Sequence, residues 1–232
     1  MGTIGIIGAM EVEVKELKEQ MQITRQLTKA GMEFCEGILE GQDVVVVRSG
    51  VGKVNAAVCT QILIDVFDVK AVINTGIAGS LKAEINIGDL VISSDLVHHD
   101  MDAVSFGYPK GQIPQMDVFS FEADKTMADL AEEVCEKVNP EIKVFRGRIV
   151  SGDQFVADKA VKNRITEQFH GFCTEMEGAA IAQAAYLNEI PFVILRAISD
   201  KADDSASEDY PSFEKKAAEH CVRLVEGFLG VC

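Results

Sequence analysis

The sequence predicts an α/β fold in which a mostly parallel sheet is covered by helices on both faces. Its strand candidates are continuous apolar runs rather than alternating ones, so both faces of each strand are expected to be buried. Helical patterns lie between these runs, as in sheets that carry helices on either side. No linker, internal repeat or low-complexity tract divides the 232 residues, so we expect a single domain over residues 1–232.

The elements follow from these patterns in order. Residues 3–8 form an apolar run that ends in glycine, and residues 10–21 place Val14, Leu17 and Met21 on one helical stripe. Further strands are predicted within 26–49, with turns at 30–31 and 40–42, and at 71–75, 88–98, 143–151 and 192–200. Further helices are predicted at 53–67, 124–138, 158–169, 177–188 and 212–229, with glycine-rich turns at 49–52 and 76–80. The stretch 101–121 has aromatics, glycines and prolines but little periodicity, which predicts a long functional loop.

The composition excludes several classes of partner. The chain carries 37 acidic and 22 basic residues, and the formal net charge of −15 disfavours nucleic acid and anionic membranes. No apolar run is long enough to span a bilayer, and no signal peptide is expected at the N-terminus. The six cysteines are scattered without a Cys-x-x-Cys pair, which predicts free thiols in a reducing cytosol. We therefore expect a cytoplasmic protein.

Five acids lie at or just after predicted strand ends, and they are Glu11, Glu13, Glu175, Glu177 and Asp200. Ligands of open α/β sheets bind at the carboxyl ends of the strands, so these acids suggest proton-transfer chemistry on an uncharged or cationic substrate. For Glu11 the better explanation is a favourable charge on a helix dipole. For Glu175 and Glu177 the helix dipole and a role in the chemistry explain the acid equally well. The small residues after Glu177 favour a place at the mouth of the sheet. Burial of Asp200 is expected to raise its pKa and let it hold a proton.

Three other motifs bear on cofactors and ligands. The glycine loop at 50–55 begins like a dinucleotide-binding turn but ends in asparagine, and it lacks the Lys-Ser/Thr of a P-loop. His98 and Asp100 share one strand face while His99 faces the other way, and two ligands do not complete a zinc site. We therefore expect no metal and no organic cofactor. Phe155, in a polar loop after a strand, is a candidate for stacking on a flat ring.

Seven short stretches carry a resemblance that covers nearly the whole chain. They are residues 5–13 (GIIGAMEVE), 49–53 (SGVGK), 74–79 (NTGIAG), 106–108 (FGY), 149–155 (IVSGDQF), 175–177 (EME) and 196–200 (RAISD). As an ordered set, they resemble the bacterial 5′-methylthioadenosine/S-adenosylhomocysteine nucleosidases of the nucleoside phosphorylase/hydrolase superfamily. The resemblance implies a three-layer α/β/α sandwich around a twisted, mixed sheet. It also implies hydrolysis of the N-glycosidic bond between adenine and a 5′-thio-substituted ribose, a reaction of methionine salvage and methyl-cycle recycling.

The resemblance also implies roles for the polar residues by position. Asp200, oriented by Ser199, would donate a proton to adenine N7. Glu13 would position and activate the attacking water, and Arg196, close by, would be a substrate-binding residue. Glu177 would bind the ribose hydroxyls. A buried acid suits this chemistry, because adenine anion is a poor leaving group, and carboxylates stabilise the oxocarbenium-like sugar that forms.

The remaining contacts implied by the resemblance surround the substrate. Ala78 would be a further substrate-binding position, and Met176 would pack against the sugar. Phe155 would stack on adenine, whose edge would pair with the main chain of Val156. Tyr210 would lie in a loop that closes over the site.

A neighbouring subunit would complete the site. The resemblance implies a homodimer in which Phe106, Tyr108 and Pro114 of one subunit contact the 5′-thio group bound by the other. The sequence agrees, because a monomer would expose much apolar surface on the loop 101–121. One position departs from the family pattern, since Ile77 stands where some members have serine, and a hydroxyl contact to the water or to Glu177 is lost.

Three other functions compete with this one. A purine nucleoside phosphorylase would need cations at its phosphate, whereas an anionic Glu13 would repel phosphate. A hydrolase of the aminofutalosine pathway shares the fold, and the sequence does not separate the two. A non-catalytic adenosine-binding module would need neither a proton donor nor a water-holding base. The sequence leaves open the preference between methylthioadenosine and S-adenosylhomocysteine, and whether 5′-deoxyadenosine is cleaved.

Overall fold

A mixed sheet runs through the middle of the protein, whose residues 2–232 are described by a computed structural model. Met1, which the domain prediction includes, lies outside the described residues. The strands are β1 (Ile4–Gly8), β2 (Gln22–Lys29), β3 (Met32–Leu39), β4 (Gln42–Arg48), β5 (Ala71–Ser80), β6 (Leu90–His98), β7 (Phe121–Glu122), β8 (Val144–Ser151), β9 (Cys173–Glu175) and β10 (Phe192–Asp200). The α-helices are α1 (Glu11–Gln20), α2 (Lys53–Phe67), α3 (Lys125–Val138), α4 (Lys159–Phe169), α5 (Gly178–Leu187) and α6 (Ala206–Leu229).

These strands form one sheet in the order β10-β6-β8-β9-β5-β1-β4-β3-β2, with β7 paired to β6. Strand β10 also pairs with β5, so β5, β9, β8, β6 and β10 make a closed ring of pairings. The pairs β1–β4, β1–β5, β5–β10, β6–β8 and β8–β9 are parallel. The sheet is mixed as expected, but antiparallel pairs are as numerous as parallel ones within residues 2–232. The hairpins β2–β3–β4, the short strands β7 and β9, and the pair β6–β10 supply them.

Helices cover both faces of this sheet, and the predicted three-layer sandwich is confirmed. On one face α1, α3 and α6 bury residues such as Val14, Ala131 and Phe228. On the other face α2 and α5 bury residues such as Leu63 and Ile181. Each fully buried valine, leucine, isoleucine or phenylalanine side chain contributes about 1.5–3 kcal/mol. The strands between the layers are buried on both faces, which explains why their apolar residues run continuously.

The predicted glycine-rich turn after residue 75 is instead part of β5. Gly76 and Gly79 remain in the strand, paired with Arg196 and Asp200 of β10. A Cβ atom at Gly76 would lie 2.6 Å from Oε1 of Glu13, and one at Gly79 would lie 2.7 Å from Oδ1 of Asp200. These glycines are needed for the close approach of acidic side chains rather than for reversing the chain.

Helix α6 begins at Ala206, earlier than predicted, and so it contains Tyr210, which was expected in a loop. The amide of Asp209 donates to the carbonyl of Ser205 at 3.0 Å in its first turn. The acids Glu208 and Asp209 in that turn interact favourably with the helix dipole. Tyr210 is therefore a helical residue, directly before Pro211 of the same helix.

The predicted loop 101–121 is irregular apart from a 3₁₀ turn at Val104–Phe106 and the first residue of β7. The side-chain amide of Gln112 donates to the carbonyls of Met116 and Val118, both at 2.9 Å, and cross-links the second half of the loop to itself. None of the helices in residues 2–232 has the length and apolar character of a membrane span.

Candidate active site

A cavity of about 310 Å³ lies where the ends of β5, β9 and β10 meet the start of α1. It is lined by Ala9, Met10, Glu13, Val51, Ile77, Ala78, Gly79, Phe155, Thr174, Glu175, Met176, Glu177, Ser199, Asp200 and Tyr210. Four of these residues are carboxylic acids. None of the described lining residues is lysine or arginine, so the charged groups on the wall are all carboxylic acids.

The structure brings most of the predicted site residues to this wall. Those that line it are Glu13, Ala78, Phe155, Met176, Glu177, Ser199, Asp200 and Tyr210. The predicted residues that do not line it are Val156, Arg196, Phe106, Tyr108 and Pro114.

Glu13 reaches the cavity from the first turn of α1. The amides of Ala9 and Met10 donate to its Oε2 at 2.7 and 2.9 Å, and the amide of Ile77 donates to its Oε1 at 3.2 Å. Burial raises the pKa of Glu13, although the positive charge of Arg196 and the three amides oppose this rise. A raised pKa makes the ionised Glu13 a stronger base toward a bound water than an exposed glutamate would be.

Arg196 was predicted to bind substrate, but it lies behind the cavity wall, only 2% exposed. Its Nη2 donates to Oε2 of Glu175 and to Oδ1 of Asn74, both at 2.5 Å, and its Nη1 donates to the carbonyl of Leu195 at 3.0 Å. Asn74 in turn donates to the carbonyl of Ile7 at 2.8 Å. Both Nη atoms therefore donate to protein groups of β5, β9 and β10, and Asn74 extends this network to β1.

Glu175 ends β9 and caps the start of α5. The amides of Gly178 and Glu177 donate to its Oε2 at 2.7 and 3.1 Å, and the hydroxyl of Ser151 donates to its Oε1. Burial pushes the pKa of Glu175 upward, but the charge of Arg196 and these hydrogen bonds outweigh burial and lower it. Glu175 is thus the ionised partner of Arg196, which favours the structural explanation for this acid.

Glu177 lies in an environment that raises its pKa, whereas the pKa of Glu175 is lowered. Oε1 of Glu177 accepts a hydrogen bond from the amide of Gly52 at 2.8 Å. Burial, and next the negative charge of Glu175, raise the pKa of Glu177 to about 8, with Arg196 opposing. Near neutral pH this carboxyl group holds a proton and can both donate and accept hydrogen bonds, which suits recognition of hydroxyl groups.

Asp200 is the last residue of β10. Its Oδ1 accepts from the amide of Ala202 at 2.7 Å, and its Oδ2 accepts from the hydroxyl of Ser199 at 2.8 Å. Burial raises the pKa of Asp200 and outweighs these two hydrogen bonds, which lower it. This rise in the pKa of Asp200 is the one expected from the sequence. It keeps a proton on the carboxyl group to higher pH.

Aromatic and thioether groups cover the opening of the cavity. The rings of Phe155 and Tyr210 meet edge to face, with centroids 5.7 Å apart. The hydroxyl of Tyr210 lies 3.1 Å from the sulfur of Met10. Together these side chains form an apolar roof over the acidic wall.

The predicted residues away from the wall fall into two groups. The side chain of Val156 is buried in the apolar cluster under α4, so only its main chain is available to a ligand. Phe106 is 84% exposed, and Tyr108 and Pro114 are half-buried at a distance from the wall. Within one chain these three residues do not complete the cavity.

Sequence reasoning did not select several lining residues, among them Ala9, Met10, Val51, Gly79 and Thr174. They are small, apolar or neutral and carry no chemical signal of their own. Their common feature is a place at or just after a strand end, which the same argument used for the acids could have identified.

No group of three or more His, Cys, Asp or Glu side chains that could hold a metal ion is found in residues 2–232. His98 instead lies with its Nε2 3.0 Å from the side-chain oxygen of Gln183. Asp100 accepts two hydrogen bonds from Nζ of Lys53, at 2.6 and 2.8 Å. His98 and Asp100 thus have protein partners at the end of β6.

Known proteins resemble this chain over its full length. A sequence profile of the phosphorylase superfamily matches residues 3–230. The 5′-methylthioadenosine/S-adenosylhomocysteine nucleosidase of Halalkalibacterium halodurans is 41% identical over 231 residues, which are 99% of each chain. The solved nucleosidase of the same name from Neisseria meningitidis, in complex with methylthio-immucillin-A, has a TM-score of 0.96 and 38% identity, covering 100% of both chains.

The chain belongs to the 5′-methylthioadenosine/S-adenosylhomocysteine nucleosidase family, within the phosphorylase superfamily. This confirms the resemblance that the ordered motifs indicate. The solved futalosine hydrolase of Helicobacter pylori is also similar, with a TM-score of 0.94 and 32% identity over 100% of this chain and 98% of that one. The fold alone therefore does not distinguish this nucleosidase family from that hydrolase.

Replacing Glu177 by glutamine is expected to stabilise the protein most at alkaline pH. Because the folded state raises the pKa of Glu177 to about 8, the folded protein holds a proton that the unfolded chain releases. The free energy of unfolding therefore falls as pH rises from the ordinary value of 4.5 to about 8. Glutamine mimics the protonated form, so Glu177→Gln should raise this free energy by roughly 1–3 kcal/mol at about pH 9 and by much less at about pH 5.

Urea unfolding at both pH values measures this difference. The control is Glu219→Gln, which removes an exposed glutamate from the surface of α6 and should change stability little at either pH. A Glu177→Gln variant destabilised equally at both pH values would contradict the buried, protonated state of Glu177.

Proposed function

We propose that this chain hydrolyses the N-glycosidic bond of 5′-methylthioadenosine and S-adenosylhomocysteine, releasing adenine and the 5′-thio-ribose for methionine salvage and methyl-cycle recycling. The observation that carries the proposal is the acidic cavity, where Glu13, Glu177 and Asp200 face one space with no lysine or arginine among the described lining residues. The relatives from Halalkalibacterium halodurans and Neisseria meningitidis are nucleosidases named for these two substrates.

Water is the nucleophile in this proposal, rather than phosphate. A phosphate ion would need cationic donors, and both Nη atoms of Arg196 already donate to Glu175, Asn74 and Leu195. The carboxylate of Glu13 would repel an anion placed beside it. A neutral water molecule needs no cationic donor and is not repelled by Glu13, to which it can donate a hydrogen bond.

In the proposed reaction the bond between C1′ of the ribose and N9 of adenine breaks, and its electron pair leaves with the base. Asp200 gives its proton to N7, so that the leaving adenine is neutral. The oxygen of water forms the new bond to the oxocarbenium-like C1′, and Glu13 accepts the proton that this water loses. Asp200 ends ionised and Glu13 ends protonated, and exchange with solvent restores both.

The remaining wall residues bind the substrate in this proposal. Glu177 binds the ribose hydroxyls, since a carboxyl group with a pKa of about 8 can donate as well as accept hydrogen bonds. Met176 and Ala78 contact the sugar side of the cavity. Phe155 stacks on adenine, and the main chain of Val156 pairs with its edge.

We further propose that residues 1–232 act as one domain in a cytoplasmic homodimer. The single sheet within residues 2–232 supports one domain, and the six free cysteines fit a reducing compartment. The dimer is supported by the exposure of Phe106, because 84% of this large apolar side chain contacts solvent in one chain. In a two-fold dimer Phe106, Tyr108 and Pro114 would reach the neighbouring cavity at its thio end.

Adenine release in phosphate-free buffer tests the reaction. We expect methylthioadenosine and S-adenosylhomocysteine to give free adenine and a free 5′-thio-ribose, at rates that added phosphate does not increase. Running 5′-deoxyadenosine and aminofutalosine in parallel defines the substrate range. A ribose 1-phosphate product, formed only after phosphate is added, would overturn the hydrolase proposal.

The same assay tests the acid. Asp200→Asn should keep the fold and lower kcat by roughly two or more orders of magnitude, because the amide can accept a hydrogen bond but has no acidic proton to transfer. The matched control is Asp43→Asn, at an exposed position on β4. Turnover near the wild-type rate in Asp200→Asn would mean that the proton comes from another group.

The dimer has its own kinetic consequence. Phe106→Ala should raise KM for 5′-alkylthio substrates by roughly tenfold with a smaller change in kcat, because its contact is distant from the breaking bond. The control is Leu187→Ala, which trims an exposed apolar side chain at the end of α5. A catalytically active species with the 25.2 kDa mass of one chain, measured by light scattering, would contradict the shared site.

A further inference from the structure

A second, smaller pocket of about 280 Å³ opens directly beside the cavity, and we call it the side pocket. The two spaces share Ala9, Met10 and Val51 as wall residues. The side pocket is therefore an extension of the candidate active site and not a separate depression.

The direction of this extension follows from which residues it lacks. Asp200, Ser199 and Phe155, which the proposed function places around adenine, line the cavity but are not among the lining residues of the side pocket. The shared wall at Ala9 and Met10 is apolar. A substrate with its base beside Asp200 would therefore direct its opposite, 5′-thio end toward the side pocket.

The side pocket is distinguished by two opposite charges. Glu11 and Arg48 both line it, and Nε of Arg48 lies 3.8 Å from Oε2 of Glu11. This distance is beyond hydrogen-bond length, so the pair attracts without using up its donors and acceptors. The side chains are 54% exposed for Arg48 and 49% exposed for Glu11, so both can be reached from solvent. Lys18 places its Nζ 3.9 Å from the same oxygen of Glu11 and adds a second cation at that edge.

We propose that the side pocket is the subsite for the amino-acid end of S-adenosylhomocysteine, in which Arg48 binds the α-carboxylate and Glu11 binds the α-ammonium group. This inference rests on the proposed function, because it assumes that the cavity holds the adenosine part. Beyond the sulfur, S-adenosylhomocysteine carries two methylenes and a zwitterionic α-carbon, whereas methylthioadenosine ends at a methyl group. Only the first substrate has groups for the side pocket.

The geometry suits such a zwitterion. A guanidinium matches a carboxylate with two parallel hydrogen bonds, and a carboxylate accepts from an ammonium group. The mouth of the side pocket is open beside Gly31, because a Cβ atom added to this glycine would meet no other atom within 4 Å. A charged head can therefore bind there while it keeps part of its hydration, which lowers the cost of removing it from water.

The position of Glu11 in the first turn of α1 offers a competing explanation, a favourable charge on the helix dipole. That role affects stability but does not distinguish one substrate from the other. The decisive readout is therefore the ratio of kcat/KM for S-adenosylhomocysteine to kcat/KM for methylthioadenosine. A loss of folded protein lowers both values by the same factor and leaves this ratio unchanged.

The experiment measures this ratio in phosphate-free buffer for the wild-type protein, Arg48→Gln and Glu11→Gln. Because the contacts are charge-assisted but half-exposed, we expect the ratio to fall about tenfold in each variant. The matched controls are Lys15→Gln and Glu19→Gln, which remove the same charges from an exposed pair on α1 and should leave the ratio unchanged. With the methyl ester of S-adenosylhomocysteine, which lacks the carboxylate, Arg48→Gln should no longer lower the ratio.

The outcomes separate the two proposals. Cleavage of methylthioadenosine with a ratio in Arg48→Gln and Glu11→Gln equal to that of their controls would overturn the subsite alone. Failure of the wild-type protein to cleave methylthioadenosine would overturn the proposed function, and the subsite with it.

Discussion

The buried ion pair between Arg196 and Glu175 holds the site together. Arg196 also donates to Asn74, which donates to the carbonyl of Ile7, so one guanidinium links the ends of β1, β5, β9 and β10. Glu175 extends the same network to the first amides of α5. Removing one member of a buried pair typically costs about 3–5 kcal/mol, because the other charge is left unpaired. The positions of the acids that line the cavity therefore depend on an ion pair whose cationic member, Arg196, is not itself a lining residue.

The same interaction gives the three buried glutamates different protonation properties. Glu175 contacts Arg196 directly, and its pKa is lowered. Glu13 and Glu177 receive the charge of Arg196 only as a weaker opposing effect, so burial raises the pKa of each. Three similar side chains thus become an ionised anchor, a buried base and a carboxyl group that holds a proton, which is the kind of separation that acid–base chemistry requires.

Local patterns sufficed to predict the layers, the continuous strands and the acids at strand ends. They failed where a residue's role depends on partners distant in sequence. Gly76 resembles a turn glycine, yet it stays in β5 because Glu13 and Arg196 pack against it. Arg196 resembles a ligand-binding residue at a strand end, yet its Nη2 donates to Asn74 and Glu175 behind the cavity wall. For Glu11 the local pattern indicates a favourable charge on the helix dipole, which the structure retains, but it does not predict the approach to Arg48 of β4.

The protonation of Glu175 and Glu177 is the most direct test of this account. Carbon-13 NMR of the protein labelled at glutamate side-chain carboxyl groups, assigned with Glu175→Gln and Glu177→Gln, follows each group through a pH titration. We expect Glu177 to titrate at about 8, while Glu175 stays ionised below the ordinary value of 4.5. A Glu175 resonance that titrates at a higher pH than that of Glu177 would contradict the claim that Arg196 divides the acids in this way.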